Sequence, residues 1–197
     1  MKPLGIDDAL DPDADRRRLL LAATSVVGCA GLLAAAYPFV ASMEPSARAL
    51  AAAGPVGADA GKVAAGELMT VAWRGKPVWI MRRTPEMIQA LRQPNPHLAD
   101  PQSKQSVQPV SCDNALRSVR PELFVAVGIC THLGCSPVLR LDDDALKAEL
   151  HAPGGFLCPC HGSRFDLAGR VLKNVPAPTN LLIPDYRFTG NDKLIIG

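Results

Sequence analysis

Two short stretches of the 197-residue sequence carry thiols and imidazoles closely enough to hold a metal. The first is Cys130-Thr131-His132-Leu133-Gly134-Cys135 and the second is Cys158-Pro159-Cys160-His161-Gly162-Ser163, with 22 residues between them. Each offers two sulfur donors and one ring nitrogen, which are ligands suited to zinc or iron. A single box of this kind points to structural zinc. The pair does not fit that reading well. Neither box contains the Cys-X-X-Cys knuckle of a zinc ribbon, and Pro159 separates the two cysteines of the second box.

Taken together, the boxes resemble the two ligand loops of the Rieske iron–sulfur proteins. That resemblance implies one [2Fe–2S] cluster, with Cys130 and Cys158 on one iron and His132 and His161 on the other. It also implies a disulfide between Cys135 and Cys160, and a hydroxyl donor to the cluster at Ser163. Residues 174–178, Asn-Val-Pro-Ala-Pro, resemble the proline loop that covers the cluster. One position departs from the pattern: Phe165 stands where many respiratory members have a tyrosine that hydrogen-bonds a ligand cysteine. The residue types also make chemical sense. Replacing two thiolates by neutral imidazoles removes negative charge, so an added electron is better tolerated and the potential rises. Each imidazole keeps a second nitrogen that can carry a proton. Gly134 and Gly162 let backbone amides approach sulfur.

Within the family, the resemblance is to the branch that serves ubiquinol–cytochrome c reductase. It implies an electron and a proton taken from ubiquinol, with the electron passed to a c-type cytochrome. His161 is then the first choice for quinol contact and proton acceptance, with His132 second and Leu133 on the docking surface. A cytochrome b subunit, a c-type cytochrome subunit and a dimeric complex follow as partners, and the chain alone should not turn over. The alternative is the Rieske subunit of another exported oxidoreductase, such as arsenite oxidase. Ring-hydroxylating oxygenases fit less well, because the sequence offers no 2-His-1-carboxylate set for their mononuclear iron.

The elements that must position this centre can be read from the remaining sequence. Residues 19–43 contain no charged side chain. As a helix they span about 37 Å, enough for a hydrocarbon core of roughly 30 Å. Arg16, Arg17 and Arg18 precede them and Glu44 follows. The positive-inside tendency therefore leaves the N-terminus cytoplasmic and exports the rest, so the expected location is the inner membrane with the cluster domain on the periplasmic side. The run Arg-Arg-Arg-Leu-Leu also resembles a twin-arginine signal. An uncleaved anchor is preferred, because 25 residues exceed a usual signal core and no clear Ala-X-Ala site follows. A net charge of +2 gives no reason to expect nucleic-acid binding.

The expected layout is a cytoplasmic tail over residues 1–15, an anchor over 16–43, a flexible Ala/Gly linker over 44–66 and a cluster domain over 67–197. The expected fold is mainly β, an antiparallel domain with a cluster-binding subdomain at about 124–178. Met69, Val71 and Trp73 alternate with smaller residues before Arg74-Gly75, predicting a hairpin that returns through residues 77–81. Thr84-Pro85 predicts a helix start, with Met87, Ile88 and Leu91 on its inner face. Residues 95–120 read as a polar loop, 123–129 as a buried strand and 142–150 as a short helix. Tyr186 to Phe188 and Leu194 to Ile196 predict a last hairpin. His97 and His151 read as solvated, Trp73 and Trp79 as strand core, and Cys29 as helix packing. Cys112 has no partner motif.

Overall fold

A computed structural model describes residues 12–197. Asp7, Asp8 and Asp11 of the expected tail lie outside them. The chain divides into two compact units, Met1–Leu50 and Ala51–Gly197.

In the first unit, helix α1 (Pro12–Ala41) runs for 30 residues, about 45 Å at 1.5 Å per residue. Its apolar side chains face outward, with Leu32, Leu33, Tyr37 and Phe39 all above 70% exposed. Length and composition suit one membrane crossing. The helix starts before the expected anchor, so Pro12 to Asp15 are its first turn rather than tail. Proline fits a first turn, and Asp13 and Asp15 sit where the aligned backbone dipoles favour negative charge. Helix α2 (Ala47–Ala52) lies within the expected linker, and Ser46 Oγ accepts the Ala49 N–H at its start.

Among the described residues, the second unit is built on nine strands. They are β1 (Val56–Asp59), β2 (Leu68–Trp73), β3 (Lys76–Arg82), β4 (Leu123–Val127), β5 (Val138–Arg140), β6 (Gly155–Leu157), β7 (Arg164–Phe165), β8 (Tyr186–Phe188) and β9 (Lys193–Ile196). They form three antiparallel sheets, in the orders β1-β9-β8, β2-β3-β4 and β5-β6-β7. Helix α3 (Pro85–Arg92) follows β3, and α4 (Asp144–Leu150) joins β5 to β6.

The expected hairpin is β2–β3. Trp73 pairs with Lys76, and Arg74 and Gly75 both adopt positive φ, the two-residue turn that matches strand twist. Thr84 caps α3 through the Met87 N–H, Asp143 caps α4 through the Leu146 N–H, and β8–β9 is the last hairpin. Strand β4 is buried along its whole length. Trp79 stacks on Phe156 with ring centroids 4.9 Å apart, joining β3 to β6 in one core. Gly128 is required there, because a Cβ would stand 2.2 Å from the Trp79 ring.

The linker expectation over 44–66 needs correction. Residues 56–59 are β1, paired to β9 from Val56↔Ile196 to Asp59↔Lys193, and Ala60 and Val63 are buried. Large apolar residues are not needed here. Leu194 and Ile196 of β9 supply the bulk, and small side chains on β1 complete the ladder. Arg82 locks the corner, donating to Ala60 O, Val63 O and Asp192 Oδ1.

The loop over 95–120 contains a single short 3₁₀ turn, Val110–Cys112, but much of it is interior. Arg117 is fully buried and Arg83, at the end of β3, is nearly so. Arg83 donates to the carbonyls of Leu116, Pro121 and Leu167 and lies over the Phe124 ring. Arg117 donates to the carbonyls of Ala168, Gly169 and Leu181. Burial lowers their pKa values to about 9 and about 10, opposed by the nearby Asp166 charge, so both stay cationic at neutral pH. Cys112 is buried with its thiol on the Tyr186 oxygen, which also accepts the Val119 N–H. It is a packing residue. His97 and His151 are exposed, as expected, but their rings stack 5.8 Å apart.

Candidate metal centre

Strand β4 leads into the first box and β6 into the second. The two six-residue loops that follow share one hydrogen-bond pattern. In the first, Cys130 N–H donates to Cys135 O at 2.7 Å and Gly134 N–H to Cys130 O at 3.1 Å. In the second, Cys158 N–H donates to Ser163 O at 2.8 Å and Gly162 N–H to Cys158 O at 3.0 Å. The fifth residue of each loop is a glycine at positive φ, +85° for Gly134 and +73° for Gly162. A Cβ would meet nothing within 4 Å at either. The backbone conformation, not space, therefore calls for glycine.

The first residue of each loop is a buried free cysteine, Cys130 or Cys158. The loops are joined by the Cys135–Cys160 disulfide. The sulfurs of Cys135, Cys158 and Cys160 lie within 4.8 Å of one another, but the disulfide uses two of them, leaving Cys130 and Cys158 as free thiols. His132 and His161 face each other edge to face, with centroids 4.8 Å apart. His161 is exposed and His132 half-buried, and Leu133 beside them is 71% exposed. Four of the sequence-predicted residues thus give two buried thiols and two more exposed, adjacent imidazoles. This donor set fits a two-iron cluster with unlike ends.

At the sulfur end, burial and hydrogen-bond donors act in opposite directions on negative charge, and burial wins. Burial raises the pKa of the Cys130 thiol and the neighbouring Cys158 adds to the rise, while the His132 backbone N–H and the Ser163 hydroxyl pull it down. Ser163 is fully buried, and its Oγ accepts the Ala177 N–H at 3.0 Å. Thr131 Oγ1 donates to Thr179 O at 2.7 Å. Ala177 and Thr179 are therefore tied one to each loop. Phe165 is buried on β7, opposite Phe156. The role of Thr131 was not legible in the sequence, because its acceptor is a backbone carbonyl 48 positions away.

Residues 99–187 match the family described as Rieske [2Fe-2S] domain, and residues 7–46 match the one described as Ubiquitinol-cytochrome C reductase Fe-S subunit TAT signal. The chain is 56% identical over 182 residues to the ubiquinol-cytochrome c reductase iron-sulfur subunit of Allochromatium vinosum, covering 92% of this chain and 88% of the relative. It is 40% identical over 185 residues to the subunit of the same name from Blastochloris viridis, covering 94% of each. A solved structure titled Hyperthermophilic respiratory Complex III aligns with 88% of this chain and 97% of its own, at 26% identity and a TM-score of 0.43.

Proposed function

The chain belongs to the Rieske iron–sulfur family, among the iron–sulfur subunits of ubiquinol–cytochrome c reductase, and from that premise we propose that Cys130 and Cys158 hold one iron of its [2Fe–2S] cluster and His132 and His161 the other. One observation carries the assignment: two buried free thiols and two facing imidazoles lie on twin loops clipped together by a disulfide. When bound, such a cluster supplies a one-electron acceptor of raised potential.

The chain's own residues do the remaining work. His161 is the exposed imidazole, so it makes the hydrogen bond to ubiquinol and accepts its proton, with His132 behind it as second candidate. Leu133 offers an apolar platform beside them for the cytochrome b subunit. Ser163 and the backbone N–H of His132 direct hydrogen bonds at sulfur, and the disulfide keeps the loops from parting. Helix α1 anchors the subunit in the inner membrane, with residues 1–11 cytoplasmic and the cluster domain periplasmic. The linker is cut back to residues 44–55, which include helix α2. The subunit takes one electron and one proton from ubiquinol, passes the electron to a c-type cytochrome subunit, and works within a dimeric complex.

The test is electron paramagnetic resonance on membranes carrying His132→Cys or His161→Cys. A thiolate at either position restores negative charge to that iron, so the Rieske-type signal of low mean g value should vanish. An unchanged signal in either variant overturns the assignment.

A further inference from the structure

Asn180 is 1% exposed and hydrogen-bonds to none of the four proposed ligands. Its carboxamide makes three hydrogen bonds. Oδ1 accepts the Val171 N–H at 2.8 Å, and Nδ2 donates to Asp100 O at 2.9 Å and Ser103 Oγ at 2.8 Å. Its backbone N–H donates to Ser106 Oγ at 3.1 Å, and that hydroxyl donates to Asp100 Oδ2 at 3.1 Å. The Asp100 carboxylate also accepts the N–H groups of Lys104 and Gln105. It thereby folds residues 100–106 into a turn that presents three acceptors to one residue. Such a buried network fixes a single arrangement, and removing one member leaves the others unpaired.

The segment that Asn180 ends is the one tied to the ligand loops. Thr179 O takes the Thr131 hydroxyl, and Ala177 N–H donates to Ser163 Oγ. A serine hydroxyl has one proton and two lone pairs. With the Ala177 N–H on its oxygen, the Ser163 proton is left for the cluster, the donor role that the ligand assignment gives this hydroxyl. We propose that Asn180 is a positioning residue: by seating residues 177–180 on the 100–106 turn, it holds the Ala177 N–H on Ser163 and so keeps the serine hydroxyl directed at the cluster. A donor to sulfur counts for more when the centre carries the extra electron, so losing that aim lowers the reduction potential. This inference rests on the ligand assignment proposed above.

The experiment is a redox titration, followed by electron paramagnetic resonance, of the full chain in its native complex. Asn180→Ala should weaken the reduction equilibrium roughly threefold, about 28 mV at 59 mV per decade. Ser103→Ala, which removes one acceptor, should shift it in the same direction by less. Ser163→Ala should lower the midpoint by itself, and adding Asn180→Ala to it should shift nothing further. A residue that merely supports the fold would shift both backgrounds alike, so a shift that persists without Ser163 overturns the proposal. So does an unaltered midpoint in Asn180→Ala, or in Ser103→Ala should Asn180→Ala fail to accumulate. A wild-type complex with no Rieske-type signal would instead overturn the ligand assignment beneath it.

Discussion

Replacing Cys160 by serine removes one covalent bond and little else, because residue 160 is exposed and the new hydroxyl can meet water. The bond joins residues 25 apart in sequence. Loop-closure entropy for a span of that size amounts to about 3.5 kcal/mol at 25 °C. For a folded unit of about 150 residues, each kcal/mol moves Tm by about 2–4 °C, so the expected fall is about 7–14 °C. Cys135→Ser should lose the same amount, and the double variant no more than either single one, since one bond is broken in all three. The four proposed ligands remain, yet nothing prevents the two loops from parting, so the cluster should bleach faster in the presence of a chelator. Thermal unfolding of the full chain in detergent without reductant gives the first quantity, and visible absorbance against time gives the second. A Tm within 2 °C of wild type would refute the reasoning. A double variant that loses twice as much as the singles would also refute it, because the loss would then come from the individual side chains.

Three further outcomes are expected. Phe165→Tyr places a hydroxyl at a buried position two residues after the second box; if it reaches Cys130 or Cys158 it favours the reduced state by about 1 kcal/mol, raising the midpoint by a few tens of millivolts for a one-electron couple. A null or downward shift in voltammetry would mean that residue 165 does not face the cluster. Gly128→Ala should cost about 1–3 kcal/mol by pushing Trp79 off Phe156, whereas Gly57→Ala, whose Cβ meets nothing within 4 Å, should be near neutral; equal Tm values for the two variants would contradict this. Prolines at two or three of residues 51–53 should slow quinol oxidation by the complex with the cluster spectrum unchanged, and full activity would argue that turnover does not depend on the linker's conformation.

The parts of the molecule that were legible in the sequence are those whose causes are local. The β2–β3 hairpin follows from Arg74-Gly75 between alternating apolar residues. Helices α3 and α4 follow from Thr84 and Asp143 at their starts. The ligand loops follow from two six-residue boxes. The parts that were missed have distant causes. Strand β1 is a strand because β9, some 137 positions later, pairs with it, and its Ala/Gly composition carries no signal of that. Arg117 is buried because carbonyls at 168, 169 and 181 receive it, while its neighbourhood in sequence reads as a polar loop. Asp100, Ser103, Ser106 and Asn180 belong to the same class. Each is an ordinary polar residue until the fold brings its partners together.

The pairing of β1 with β9 also gives the domain a mechanical property. Any pull transmitted through residue 55 enters at the end of β1 where Val56 faces Ile196. From there the ladder opens one residue pair at a time, until it meets the corner where Ala60 N–H holds Asp192 O and Arg82 grips both residues. The length of free tether is therefore not written in the tether itself. It is set by the last strand of the chain, and removing residues 193–196 would lengthen the leash by the four residues of β1 without changing a residue in it.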